Sequence, residues 1–168
     1  TLSSSSAASD VYKRQGLLCL QIFLAEEDVS PADRPAMERG ARALGSAFQK
    51  INFLRDLRED SSTLGRTYFQ QAPSGRIDEA TKSALIAEIR QELATAALTI
   101  DLLPASARVG VSAAADIFAE LTNRLAATPA TALATTRVSV PNHTKAWLAA
   151  RAVRRRGRSS QTSATAEN

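Results

Sequence analysis

The chain has 168 residues, 44% apolar and 23% charged, enough for one soluble globular domain with a real core. Cys19 is the only cysteine and His143 the only histidine, which rules out an intrachain disulfide and argues against a zinc site or a Ser-His-Asp triad; a metal here should be a hard one held by carboxylates. The formal charge of +4 gathers near the end, at Arg151, Arg154, Arg155, Arg156 and Arg158, over a nearly balanced body, so the basic balance gives no argument for a nucleic-acid partner.

Residues 1–15, TLSSSSAASDVYKRQ, are Ser-rich and lack helical periodicity. The end of that stretch resembles translated sequencing-adapter sequence, and residues 1–15 are expected to be a disordered, non-native extension. Lys13 and Arg14 precede an apolar run, Gly16 to Ala25, with the outline of a signal peptide. The run is too short to span a bilayer and leads straight into Glu26, Glu27 and Asp28, so it reads as a buried helix. Pro31 and Pro35 mark a loop, and a long helix follows from about Ala36 to Asp60. Ser61–Arg76 reads as a polar loop broken by Tyr68 and Phe69. Asp78 can cap the next helix, with Glu79 in its first turn. Its core face is predicted at Leu85, Ile89, Leu93, Ala96, Ile100 and Leu103. Pro104 separates a further helix, about Ala105–Ala127, whose stripe of Ile117, Leu121 and Leu125 is extended by Gly110 and Ala114, small enough for close helix approach. Thr128-Pro129 can start a short turn, and Asn142 caps a last helix carrying Trp147, Leu148 and Val153. From Gly157 the tail is polar and expected to be disordered. No strand pattern appears, so the class is all-α, with one helical unit over 16–156.

The chemistry sits in the segment LGSAFQKINFLRDLRED, Leu44 to Asp60. At 100° per residue Gly45, Gln49, Asn52, Asp56 and Asp60 fall in one narrow stripe. Leu44, Ala47, Phe48, Ile51 and Leu54 border it on one side, Phe53 and Leu57 on the other. A polar stripe with apolar margins on both sides should face an internal cavity. Buried carboxylates need a positive partner. Arg55 and Arg58 project elsewhere, so a divalent cation is the natural counter-charge. Asp56 and Asp60 lie one turn apart and can share one small volume, with Asn52 adding a neutral oxygen. Mg²⁺ favours such a set, completed by water and phosphate oxygens. From spacing alone, an acidic helix end paired with surface arginines explains the pattern equally well.

The longer pattern Gln49-x-x-Asn52-x-Leu54-Arg55-Asp56-x-x-Glu59-Asp60, followed by Gly65-Arg66-x-Tyr68, resembles the second Asp-rich motif of the squalene and phytoene synthases. NFLRDLRED and LGRTYF look closest to actinobacterial phytoene synthases. The likeness continues through Leu103-Pro104, Ala107-Arg108, Ile117-Phe118 and Arg137-Val138-Ser139-Val140 with Lys145, covering about residues 16–155.

The resemblance implies the all-helical isoprenoid synthase fold and a Mg²⁺-dependent transferase, with Mn²⁺ as an alternative metal. Two geranylgeranyl diphosphates would be condensed head-to-head to phytoene through a cyclopropyl diphosphate. It implies metal binding by Asp56 and Asp60 with Asn52, substrate binding by Gln49, Asn52, Arg55 and Arg137, and catalytic roles for Arg66 and Tyr68 in closing the site and polarising the leaving group. The plain readings are an Arg55–Glu59 ion pair, Tyr68 packed on a helix, Arg137 as a helix-end charge and Arg66 on the surface. It further implies a cytoplasmic enzyme of carotenoid synthesis, peripheral on the inner membrane face through its basic end, with downstream carotenoid enzymes as partners. The family's first Asp-rich motif has no counterpart before residue 56, so the chain is expected to be a C-terminal part, inactive alone. The alternatives are a squalene or dehydrosqualene synthase, and a non-catalytic helical module docking on membranes.

Overall fold

The longest helix is also the one on which the others pack. The computed structural model describes the backbone of residues 4–25, 27–60 and 77–165, and the side chains of residues 13–25, 27–57 and 77–155. It contains α1 (Ser4–Phe23), α2 (Arg34–Asp60), α3 (Glu79–Ile100), α4 (Ala105–Ala127), α5 (Ala130–Leu133) and α6 (Asn142–Thr165), with no strand among the described residues. The all-α expectation holds. α2 packs against α1, α3, α4 and α5, and α6 closes on α4. None of the described helices is long and apolar enough to cross a membrane.

α2 begins at Arg34 and carries Pro35 in its first turn, where a missing N–H costs nothing. Its core face is Ala47, Ile51 and Leu54, each fully buried. These pack with Ile86 and Ile89 of α3, Leu121 and Leu125 of α4, and Leu133 of α5. A second, smaller cluster joins Leu20 and Leu24 to Met37 and Leu103. Two glycines permit the close helix contacts. A Cβ at Gly16 would strike the Ala41 carbonyl, and one at Gly40 would strike the Thr99 hydroxyl. Gly110, expected to serve that purpose, faces nothing that a Cβ would meet.

α3 is capped as its sequence predicts: the Thr81 amide donates to Asp78 Oδ1 at 2.7 Å. Its buried residues are Lys82, Ile86, Ile89, Ala96 and Ile100. Ile86 lay outside the predicted stripe, while Leu85 and Leu93 are only half-buried. Lys82 is buried because it has work at a helix end. Its Nζ donates to the carbonyls of Thr128 (2.6 Å) and Ala126 (3.3 Å), where α4 leaves acceptors unsatisfied. Glu79 pairs with Lys82 and accepts from the Ala130 amide at 2.9 Å, so one acidic–basic pair ties α3 to the α4–α5 corner.

Four expectations are corrected. Residues 1–15 are not without structure from Ser4 on: α1 starts there, since no Pro or Gly interrupts Ser4–Gln15 and a helix already packed at Leu20 propagates without a new nucleus. The polar tail likewise continues α6 to Thr165. Asn142 is the first residue of α6 and not its cap; the Pro141 carbonyl accepts from the Lys145 amide at 3.0 Å. The Gly16–Ala25 segment is buried on one side only, with Leu20 and Leu24 inward and Leu18 and Ile22 more than half exposed.

Candidate functional site

Between α1, α2, α3 and α4 lies a cavity of about 330 Å³. α2 gives it one wall, with Met37, Gly40, Ala41, Leu44, Gly45, Phe48, Gln49 and Asn52. α1 contributes Gln15, Gly16, Cys19, Leu20 and Phe23; Ala96, Thr99, Ile100, Leu103, Val111 and Ala114 complete the lining. The stripe read from the sequence therefore does face a cavity over Gly45, Gln49 and Asn52. Of its apolar margin Leu44 and Phe48 line the cavity while Ala47, Ile51 and Leu54 turn into the core, and Phe48 is fixed by stacking on Phe118 with ring centroids 3.8 Å apart.

Gln49 and Asn52 are the polar side chains that α2 brings to this lining. Asn52 Oδ1 is buried and has no hydrogen-bond partner among the described residues. An orphaned buried acceptor costs about 1–3 kcal/mol, so native chains keep few of them, and one beside a cavity marks a place for a ligand. One turn on, Asp56 is gripped by Arg55, whose Nε donates to Oδ1 (2.9 Å) and Nη2 to Oδ2 (2.7 Å). Arg137, from the segment between α5 and α6, approaches Oδ1 to 3.6 Å. Hydrogen bonding from Arg55 holds the Asp56 carboxyl below the usual range; partial burial opposes this, and the charges of Arg55 and Arg137 reinforce it.

This geometry alters one expectation. Arg55 does not project away from the stripe; it folds back onto its neighbour Asp56. Asp56, Arg55 and Arg137 thus form one charge cluster a helical turn beyond Asn52, the last α2 residue of the cavity lining. The side chains of Glu59 and Asp60, and all of Arg66 and Tyr68, lie outside the described residues.

The donors present suit a hard divalent cation: the orphaned Asn52 oxygen and the Asp56 carboxylate stand on successive turns, both oxygen ligands. Two protein oxygens leave room for the water and phosphate ligands that Mg²⁺ prefers. Among the described residues no group of three or more His, Cys, Asp or Glu could hold a metal alone. The site would hold a cation together with a phosphorylated ligand.

A second polar cluster on α2 escaped the sequence reading. Lys50 Nζ lies 2.6 Å from both Glu88 and Glu92 of α3, and Ser46 Oγ donates to Glu92 at 2.8 Å. The signal for it is weak: Ser46 and Lys50 share a face at i,i+4, and Glu88 and Glu92 do the same on α3, but nothing local pairs the two helices.

The Arg-rich end of the chain is not a bare cluster of charge. Arg151 lies over the Trp147 ring, 4.9 Å from its centroid, and pairs with Asp116 at 3.0 Å; Arg155 reaches the same carboxylate at 3.4 Å.

Comparison with known proteins gives one match: the family model described as squalene/phytoene synthase matches residues 8–144. No curated protein and no solved structure matches the chain.

Proposed function

The chain belongs to the squalene/phytoene synthase family, and we propose that it condenses two geranylgeranyl diphosphates head-to-head to phytoene. The observation that carries this reading is the polarity of the cavity. A mostly apolar space reaches Asn52, whose oxygen is orphaned, and the next turn of α2 carries Asp56 with two arginines upon it, which suits a ligand with a long hydrocarbon tail and a diphosphate head.

In this reading Asn52 and Asp56, with Asp60, hold Mg²⁺. Bound there, the metal supplies counter-charge to a diphosphate. Arg55 and Arg137 turn from Asp56 to the diphosphate oxygens, so the leaving group is held by groups already in place. Cleavage of the C–O bond of one substrate releases diphosphate and leaves an allylic cation. The double bond of the second substrate captures it; loss of one proton closes a cyclopropane that still carries the second diphosphate. Departure of that diphosphate, rearrangement and loss of a second proton give the C40 product. Leu44, Phe48 and Ile100 keep water from the cation. Arg66 and Tyr68 close the site. The basic end, with Trp147 and Arg154 exposed, rests on the inner face of the membrane that holds the lipophilic product.

The test is product analysis. A full-length protein carrying both Asp-rich motifs, given geranylgeranyl diphosphate and Mg²⁺, should release phytoene and two equivalents of inorganic diphosphate. Squalene from farnesyl diphosphate as the preferred product would replace the substrate assignment; no hydrocarbon from either would overturn the reading.

A further inference from the structure

We infer that Lys82 is a positioning residue: with Glu79 it fixes the α4–α5 corner, and through that corner it sets where Arg137 stands over Asp56. The inference rests on the proposed diphosphate site and adds to it a residue outside the cavity lining. A lysine is seldom buried unless paired, and Lys82 is 2% exposed. Water can satisfy the last carbonyls of a helix, so a cap alone does not call for a buried charge. What the buried ammonium does is join separate elements. Its Nζ donates to the Thr128 carbonyl (2.6 Å) and the Ala126 carbonyl (3.3 Å) at the end of α4, and pairs with Glu79 on its own helix. Glu79 Oε2 in turn accepts from the amide of Ala130, the first residue of α5, at 2.9 Å. The two side chains therefore hold the chain on both sides of Pro129.

From that point to Arg137 the chain has little freedom. α5 is a single turn, closed by the Thr136 amide on the Ala132 carbonyl at 2.8 Å, and Arg137 follows directly. Leu133 before it and Val138 and Val140 after it are buried in the cluster that holds Ile51 and Leu54 of α2. Arg137 is itself exposed at its side chain and comes to 3.6 Å from Asp56 Oδ1. That is beyond hydrogen-bond length, so a small shift of the segment carries the guanidinium onto the carboxylate or away from it. Lys82 and Glu79 secure one end of this segment, and the buried valines secure the other.

The experiment is a double-mutant cycle on the 168-residue chain with two readouts: equilibrium binding of inorganic diphosphate in Mg²⁺, and hydrogen exchange followed by mass spectrometry. Circular dichroism confirms the fold of each variant. Lys82→Met removes the ammonium, and Glu79→Ala releases the Ala130 amide from an exposed position; if Lys82→Met does not fold, Glu79→Ala decides. Each should speed exchange across residues 130–137 at least about fivefold and leave residues 47–54 of α2 unchanged. Each should weaken diphosphate binding about fivefold in the native background and less than about twofold in an Arg137→Gln background, because residues acting through one network do not add. Equal losses in both backgrounds, or no loss where Arg137→Gln alone gives a clear one, overturns the positioning role and leaves the diphosphate site standing. No diphosphate binding, or binding that neither Asp56→Asn nor Arg137→Gln weakens, overturns both.

Discussion

Two charged clusters sit six residues apart on α2 and are built for opposite ends. Around Lys50, the ammonium bridges two carboxylates of α3, so the ion pairs span a helix interface. Around Asp56, the main partner is the adjacent residue Arg55, and the second is Arg137 in an irregular segment. The first cluster cannot be taken apart without loosening α2 from α3. The second should be exchangeable for another cation at a lower cost to the fold, because its groups are partly exposed and its main pair joins sequence neighbours. The orphaned Asn52 oxygen lies on the side of the exchangeable cluster. An ion pair that crosses helices serves the scaffold; one made with a sequence neighbour adds little to it.

Asp56→Asn breaks the comparison most sharply. In a full-length protein it should lower turnover by about 10²–10³-fold, since it removes charge that acts on the departing diphosphate. Its effect on unfolding free energy should stay below about 1 kcal/mol. Near-normal turnover at saturating Mg²⁺ would remove Asp56 from the metal site. On the scaffold side, Leu54→Ala should destabilise by about 2–5 kcal/mol in denaturant titration, because Leu54 is fully buried between the helices. Lys50→Met should cost about 1–3 kcal/mol by leaving Glu92 without its cation, while binding of a prenyl diphosphate stays within about twofold; a selective loss of binding would join the two clusters into one site.

Much of this arrangement was legible in the sequence, for stated reasons. The 100° spacing put Gly45, Gln49 and Asn52 on one side and Ala47, Ile51 and Leu54 on another, and helical geometry is fixed enough for that to survive folding. The Asp78 cap was readable because capping is local. What failed depended on contacts distant in sequence. Lys82 reads as a surface residue until the end of α4 arrives above it. Gly110 and Gly40 look alike until a partner helix is placed. The position of Arg55 follows from a side-chain torsion that periodicity does not encode.

The pH dependence sharpens the contrast gently. Asp78 and Asp56 both have carboxyls held below the usual range, by the Thr81 side chain and amide and by Arg55 respectively. A depressed folded-state value stabilises the fold above the unfolded titration range and loses that contribution as pH falls through the folded one. Acid titration of stability should therefore show a decline below about pH 4, and Asp78→Asn, which keeps the cap, should flatten part of it. Smallest of all, liposomes of anionic lipid should bind the chain weakly, in a way that salt and Arg154→Gln reduce, since Arg151 and Arg155 already share Asp116; binding indifferent to both would rule out the basic end.

The central claim is that the α2 stripe holds a diphosphate through a metal. It is tested most directly by equilibrium binding of geranylgeranyl diphosphate to the native chain and to Asp56→Asn, each with Mg²⁺ and with EDTA. The account predicts that Mg²⁺ tightens binding to the native chain by at least about tenfold, or 1.4 kcal/mol, and that the variant loses this gain. Equal affinity in all four conditions would contradict it.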